Sequence, residues 1–406
     1  MRKAIYYITS RLVVLLVLFF VCSITIAAQV TSLPPKQEAT PALPRATTPD
    51  TPSQEQNPSA PWGDYRSFYG PGSIPVERGV RVSVGNRTTG RITIVGWDRD
   101  VIEVVARSER GNEVVRVLVD HNQSPAKILL KADYADLETP GAPTERELAF
   151  PPLSGTEPVQ VQLEIKMPRY ARIDPIKVFR SDVEISDMHS SLRIRGDRST
   201  ITVKEVGHVE VRTRAGDIVV EDASGLVDVA SITGAIRVRG SDGAVRAVSI
   251  AGLIDIRCGH ASVNASDTDG LIELFDIDGD VNAEAINSSV RFTGPLREDG
   301  RYHLKSMSGR VEMVLPPEAK DFDATLSSYR GTIDTDFQLE PSTNAHISQA
   351  GKHLISRSDN AQLILDSSGK RLIGRFGSGK AQLILDSFEG AVHLSRAKVG
   401  EVKACQ

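Results

Sequence analysis

The chain has 406 residues, a formal net charge of −4, and charges of both signs interspersed along its length. No basic patch of the kind that follows a nucleic-acid backbone stands out, so the charges read as a solvated exterior and argue against a nucleic-acid partner. Aromatic residues make up only 5%, which suits a narrow core of Val, Ile and Ala better than the two or three globular cores that the length alone would allow.

Residues 1–28 read as a targeting segment. Arg2, Lys3 and Arg11 precede an apolar run from Leu12 to Ala28, and Thr25-Ile26-Ala27 or Ile26-Ala27-Ala28 would serve as a small-residue cleavage site. A run of about seventeen residues is short for a membrane span. A cleaved secretory signal is therefore expected, with a retained single anchor as the alternative. Either way the positive flank stays inside and the remainder is exported. Phe19, Phe20 and Val21 precede Cys22 without the small residue that lipidation uses.

Residues 29–61 hold Pro34, Pro35, Pro41, Pro44, Pro49, Pro52, Pro58 and Pro61 among Thr, Ser, Gln and Glu. Such a stretch cannot bury a core and is expected to be a disordered, extended linker. Trp62, Tyr65, Phe68 and Tyr69 follow as the only aromatic cluster. They are expected to staple the linker onto the first coil, with sugar stacking as the alternative. Strand-like alternation begins near Val76 and continues through Val80–Val84, Ile92–Ile94, Val101–Ala106, Val114–Val119, Ile128–Lys131 and Val159–Met167. Between the last two, residues 133–158 carry five prolines and read as a long exposed loop.

A nine-residue repeat then takes over. From Gly207 the units are GHVEVRTRA, GDIVVEDAS, GLVDVASIT, GAIRVRGSD, GAVRAVSIA, GLIDIRCGH, ASVNASDTD, GLIELFDID, GDVNAEAIN and SSVRFTGPL. Positions three and five are aliphatic or small, as at Val209 and Val211 or Ile236 and Val238, and position four is mostly polar. Period-two alternation with β-branched residues inward marks a strand with one buried face. The leading Gly supplies positive φ for the turn. The phase reaches back to Ser181, loses one residue before Val209 and gains a small insertion near Pro295–Gly300. Hairpins of a meander would tolerate varied loops, whereas a coil that drifts by one residue turns its core side chains outward. Ten units in phase therefore predict a solenoid. Position-four charges compared at steps of eighteen and twenty-seven give no clean ladders of opposite sign, so two or three units per coil remain open on the residues alone. The same spacing of nine appears twice near the C-terminus, beside the two copies of AQLILDS at residues 361–367 and 381–387.

Chemical motifs are scarce. Cys258 falls in phase with the buried face and Cys405 lies in the polar tail 397–406, so a buried free thiol is expected rather than a disulfide. The eight histidines are scattered, and no nucleophile elbow or phosphate-binding loop is present. The densest carboxylate cluster is Asp267, Asp269, Asp276, Asp278 and Asp280. Paired carboxylates serve calcium binding or glycoside hydrolysis, and Asp267 and Asp276 with Arg257 are the candidates for a polysaccharide-active site. The plainer expectation is turn chemistry, because Asp and Gly favour turns together. No catalytic residue, cofactor or metal is assigned.

Three segments carry a resemblance. Gly90–Asp98 (GRITIVGWD) with Val101, Glu103, Val104 and Ala106, then Tyr302–Pro317 with Gly331–Phe337, and finally Gly377–Ser387 with Gly390 and Val392, resemble the bacterial putative-adhesin family of β-strand-repeat proteins. The likeness covers about residues 76–396. It implies a right-handed, single-stranded β-helix, three-sided with about twenty-seven residues per coil, in an exported protein of the cell envelope. It implies no site residues. The expectation is thus an all-β β-solenoid over residues 62–396 that is not an enzyme. It would offer its repeat surface to an envelope or surface component, glycan or protein, and touch a membrane only through an N-terminal anchor. The alternatives are a polysaccharide-binding or polysaccharide-processing β-helix and a membrane-anchored envelope-stress or regulatory partner.

Overall fold

Alternating inward aliphatic and outward polar residues give each nonad one face to bury, and every nonad from Val209 to Thr293 forms a strand. The structure, a computed structural model, describes residues 65–68, 72–86, 89–108, 113–120, 127–134, 160–340, 354–358, 361–366, 369–398 and 405. All belong to the compact unit Asn57–Gln406. The expected targeting segment 1–28, the expected linker 29–61, Trp62, Tyr69 and residues 135–158 of the expected loop lie outside them.

Successive strands alternate between two sheets. Val209–Ala215, Val227–Thr233, Val245–Ala251, Val263–Asp267, Val281–Ala285 and Arg301–Ser306 lie side by side in the first. Ile201–Val206, Ile218–Ala223, Ile236–Ser241, Ile254–Gly259, Ile272–Ile277, Val290–Thr293 and Val311–Leu315 lie side by side in the second. All these pairs are parallel, and Val209 meets Val227 while Ile218 meets Ile236, each eighteen residues on. Long stacks of parallel strands in two open sheets are what a β-solenoid produces. Two strands make one coil, so the three-sided coil of twenty-seven residues is corrected to two strands and eighteen residues. The second sheet runs through twelve parallel strands from Gln160–Pro168 to Ile333–Thr335. At about 4.8 Å per strand the stack is about 50 Å long.

The interior is the space between the sheets. Val209, Val211, Ile218 and Val220 are fully buried, as are their equivalents in the following coils. Leading glycines solve a steric problem more than a conformational one. Gly216 and Gly234 do have positive φ, at 104° and 123°, but Gly252 and Gly270 do not. A Cβ on Gly270 would fall on the carbonyl oxygen of Gly252 one coil away, well inside contact distance. At the opposite corner the positive-φ positions form a column of their own: Asp187, Glu205, Asp222, Gly240, Cys258 and Asp276, with φ between 49° and 62°.

Both ends depart from sequential stacking. The strand Ala381–Ser387 inserts between Arg301–Ser306 and Phe322–Ser328, parallel to both, and Val392–Arg396 inserts between Val311–Leu315 and Ile333–Thr335. The last coil in the chain is therefore the second-to-last in space. At the other end Thr89–Trp97 sits between Gln160–Pro168 and Ser181–Met188, while Arg172–Phe179 sits between Arg81–Asn86 and Leu192–Asp197. Antiparallel strands cover the open ends: Val101–Ser108 on Gln160–Pro168, and Gly369–Phe376 on Phe322–Ser328. The two AQLILDS copies have different fates. The second is a coil strand, whereas the first pairs with Gly369–Phe376 as a hairpin in which Leu363 faces Leu372. That spacing of nine belongs to a hairpin, not a coil.

Candidate functional site

Where a first-sheet strand turns into the second sheet, one short motif recurs: a small polar residue facing inward, any residue facing outward, one more, then Gly. It reads Ser231-Ile232-Thr233-Gly234, Ser249-Ile250-Ala251-Gly252, Ser306-Met307-Ser308-Gly309, Ser328-Tyr329-Arg330-Gly331 and Ser387-Phe388-Glu389-Gly390. The inward hydroxyls are buried, and all but that of Ser249 close the turn. Ser231 Oγ donates to the Thr233 carbonyl at 3.0 Å, and Ser306 Oγ accepts from the Gly309 amide at 2.8 Å. Ser328 and Ser387 Oγ accept from the Gly331 and Gly390 amides in the same way. Neighbouring rungs align through Thr213, Ser231, Ser249, Asp267, Ala285 and Ser306.

The acidic candidates are distributed over this framework rather than gathered. Asp267 takes the inward hydroxyl's place and is 2% exposed. Its Oδ1 accepts from the Gly270 amide, and the Ser249 hydroxyl on the next rung is near enough to favour the charged form without completing a well-formed hydrogen bond. Burial pushes the Asp267 carboxyl above its ordinary range. Asp269, in the same turn, accepts from Asn287 Nδ2 at 2.6 Å. Asp276 belongs to the positive-φ column at the other corner and accepts from the Cys405 amide at 2.6 Å. Asp278 lies exposed in the following turn, where its amide donates to the Gly259 carbonyl. Asp280 accepts from the Arg301 amide at 3.0 Å and from its guanidinium at 2.9 Å, contacts that hold its carboxyl below the ordinary range. Arg257 is turned to its own neighbour, with Nε 2.7 Å from Asp255 Oδ1. Asp267 and Asp276 stand in different sheets, so with Arg257 they form no common groove. Among the described residues no three His, Cys, Asp or Glu side chains gather as metal ligands would. Turn geometry and ion pairs account for where these carboxylates sit.

Cys258 corrects a further expectation. It is half-buried, has φ of 59°, and is disulfide-bonded to Cys405 with a Cα–Cα distance of 5.6 Å. Counting phase along the nonad misplaced it, because the positive φ lifts this position off the strand's alternation. No residue pattern around Cys405 signals the pairing.

One concave surface that the sequence did not suggest lies near the first coils. It is lined by Arg78, Trp97, Arg169, Tyr170, Arg172 and His189, among others. Arg169 contacts Asp98 at 3.2 Å and Asp187 at 3.7 Å. Tyr170 donates to Asp100 at 2.7 Å, and burial together with that carboxylate pushes its pKa up to about 12. Trp97 is anchored through Nε1 to the Val101 carbonyl, and the Arg99 guanidinium lies 5.0 Å from its ring.

No family model and no curated protein matches the chain. Among solved structures, the chain is similar to a putative cell adhesion protein from Clostridium sporogenes ATCC 15579. Identity is 8%, with 82% of this chain and all of the other covered, at a TM-score of 0.18. A likeness at that score carries no argument about fold or function.

Proposed function

We propose that this chain is an exported, non-enzymatic protein of the cell envelope, of the adhesin type, whose stacked coils present a rigid surface to an envelope or surface component. One observation carries the proposal. The interior is filled by aliphatic side chains, the named acidic residues sit in turns or bond to neighbouring strands, and what the fold offers is its long exterior. The Cys258–Cys405 disulfide supports export, because such bonds persist in oxidising compartments. The apolar leader supports the same reading, and a right-handed, single-stranded winding goes with it. The concave surface around Trp97 and Arg169 favours a glycan with acidic groups as the second reading. Arg78 and Arg172 there have no carboxylate at ion-pair distance among the described residues.

The test is binding of the purified chain from Asn57, which holds every described strand, to whole cells, envelope fractions and a glycan panel. Saturable binding at micromolar concentration is expected. Absence of binding to all three overturns the reading, and hydrolysis or eliminative cleavage of a polysaccharide in the panel replaces it with an enzymatic one.

A further inference from the structure

Among the described residues, eight large apolar side chains are exposed, and six of them crowd one corner: Ile232, Ile250, Leu271, Met307, Phe388 and Tyr329. Leu271 follows the Gly of its turn, and the other five occupy the outward position of the turn motif. They are stacked by the backbone itself. The Asp269 amide donates to the Ile250 carbonyl at 2.8 Å, the Glu389 amide to Met307 and the Arg330 amide to Phe388, both at 2.9 Å. The opposite corner presents Asp222, Asp242, His260 and Asp278 instead. An apolar line interrupted only at Thr268, which gathers six of the eight exposed large apolar side chains on one edge, marks an interaction surface.

We infer that this edge is a self-association surface, on which a second copy of the chain lies antiparallel about a two-fold axis. Three features favour that occupant. The outward position recurs once per strand, about every 4.8 Å, over eight rungs from Arg214 to Tyr329, and all but Arg214 and Thr268 are apolar. A partner keeps step with it over that length only if its own rise is the same, and a second copy has that rise by identity. Its ends are also complementary under a two-fold axis between Thr268 and Ile286. Ile232 then faces Phe388, and Ile250 faces Met307. Arg214, paired with Asp197 at 2.7 Å, meets the rung of Tyr329. Finally, the two rings at this edge are stacked on each other rather than splayed as a platform for a sugar. Tyr329 and Phe388 lie on each other at 4.7 Å and 7°, with the Arg330 guanidinium 6.0 and 5.7 Å from the two centroids. An edge about 38 Å long and about 10 Å wide buries only about 800 Å² in total, so the dimer is weak and reversible.

Sedimentation velocity on the chain from Asn57, over about 5–500 μM, tests this. A monomer–dimer equilibrium with a midpoint on the order of 100 μM is expected for an interface of this size. Ile250→Glu and Met307→Lys should each weaken it at least about tenfold without changing the circular dichroism spectrum, since both side chains are exposed. Under the two-fold axis the two positions face each other, so the double variant I250E/M307K should recover association. A chain that stays monomeric throughout overturns the inference, as does association that neither single variant affects. Failure of the double variant to recover overturns the antiparallel arrangement. Flotation of the wild type with neutral lipid vesicles, lost in I250E, would assign the edge to a membrane surface instead.

Discussion

Cys258, in the middle of the coil stack, is covalently joined to Cys405, 147 residues later, and Asp276 on the adjoining rung accepts a hydrogen bond from the Cys405 amide. The end of the described chain is thus tied to a corner of the central coils by one covalent and one polar contact.

Closing a loop of that length restricts the unfolded chain, an effect of about 2–5 kcal/mol. Cys405→Ser is expected to unfold at a lower urea midpoint than the oxidised wild type, and at the same midpoint as the reduced wild type. Cys258 carries φ of 59°, whereas Gly240 fills the equivalent place one coil earlier. In the Cys405→Ser background, Cys258→Gly should therefore be more stable than Cys258→Ser by about 1 kcal/mol.

Asp267 makes stability fall as pH rises. Its folded pKa is raised, so its contribution is fully present below the unfolded carboxylate range and is lost as pH climbs through the folded value. Asp267→Ser installs the residue found at this position on the preceding rung, Ser249, and two rungs on, Ser306, and removes the buried charge. The variant should melt higher than wild type at pH 8, by roughly 2–4 °C for each kcal/mol gained. The advantage should shrink towards pH 3, as a series of melting curves would show. An advantage that grows on acidification would contradict the assignment.

Glycine substitutions separate the close approach from mere smallness. Gly270→Ala puts a methyl group against the Gly252 carbonyl and should cost more than about 2 kcal/mol or abolish folding. At Gly259 the nearest atom to a new Cβ is the Ile277 Cδ1 methyl, 3.3 Å away, which can rotate aside. Gly259→Ala should cost less than about 1 kcal/mol by urea unfolding.

The outward charges bear little on stability. Arg193 reaches both Glu210 at 2.9 Å and Asp174 at 3.0 Å but is nearly half exposed, so Arg193→Ala should cost less than about 1 kcal/mol and less still in high salt. Thermal unfolding at low and high salt would check this.

Those same charges show where reading the sequence stopped. Arg193–Glu210, Lys204–Glu221 and Arg291–Glu312 are register partners, and all three form ion pairs across neighbouring coils. Their separations are 17, 17 and 21 residues, because one residue is missing before Val209 and a short insertion precedes Tyr302. Comparison at a fixed step of eighteen passes over them, which left the number of strands per coil open. The strands, their inward faces and the stacked corners were legible because period-two alternation and the spacing of glycines act locally. The insertion of Ala381–Ser387 between earlier coils was not, since nothing in those seven residues distinguishes them from Ala361–Ser367. The apolar edge was present in the sequence as a serine, an apolar residue and a glycine at fixed spacing. It is obscured where Asp267 and Ala285 replace the serine and where the same turns read as mere connections.

Because the coil formed by residues 381–396 lies inside the stack, the rungs made by Phe322–Ser328 and Ile333–Thr335 lack their native parallel neighbours until that later segment arrives. A ribosome or translocation pore that releases this chain from its N-terminus delivers the capping coil before the one it must rest on. Assembly of this end is thus governed by the order of arrival, and shortening the chain by its last twenty-odd residues would remove a floor from within the building rather than the roof.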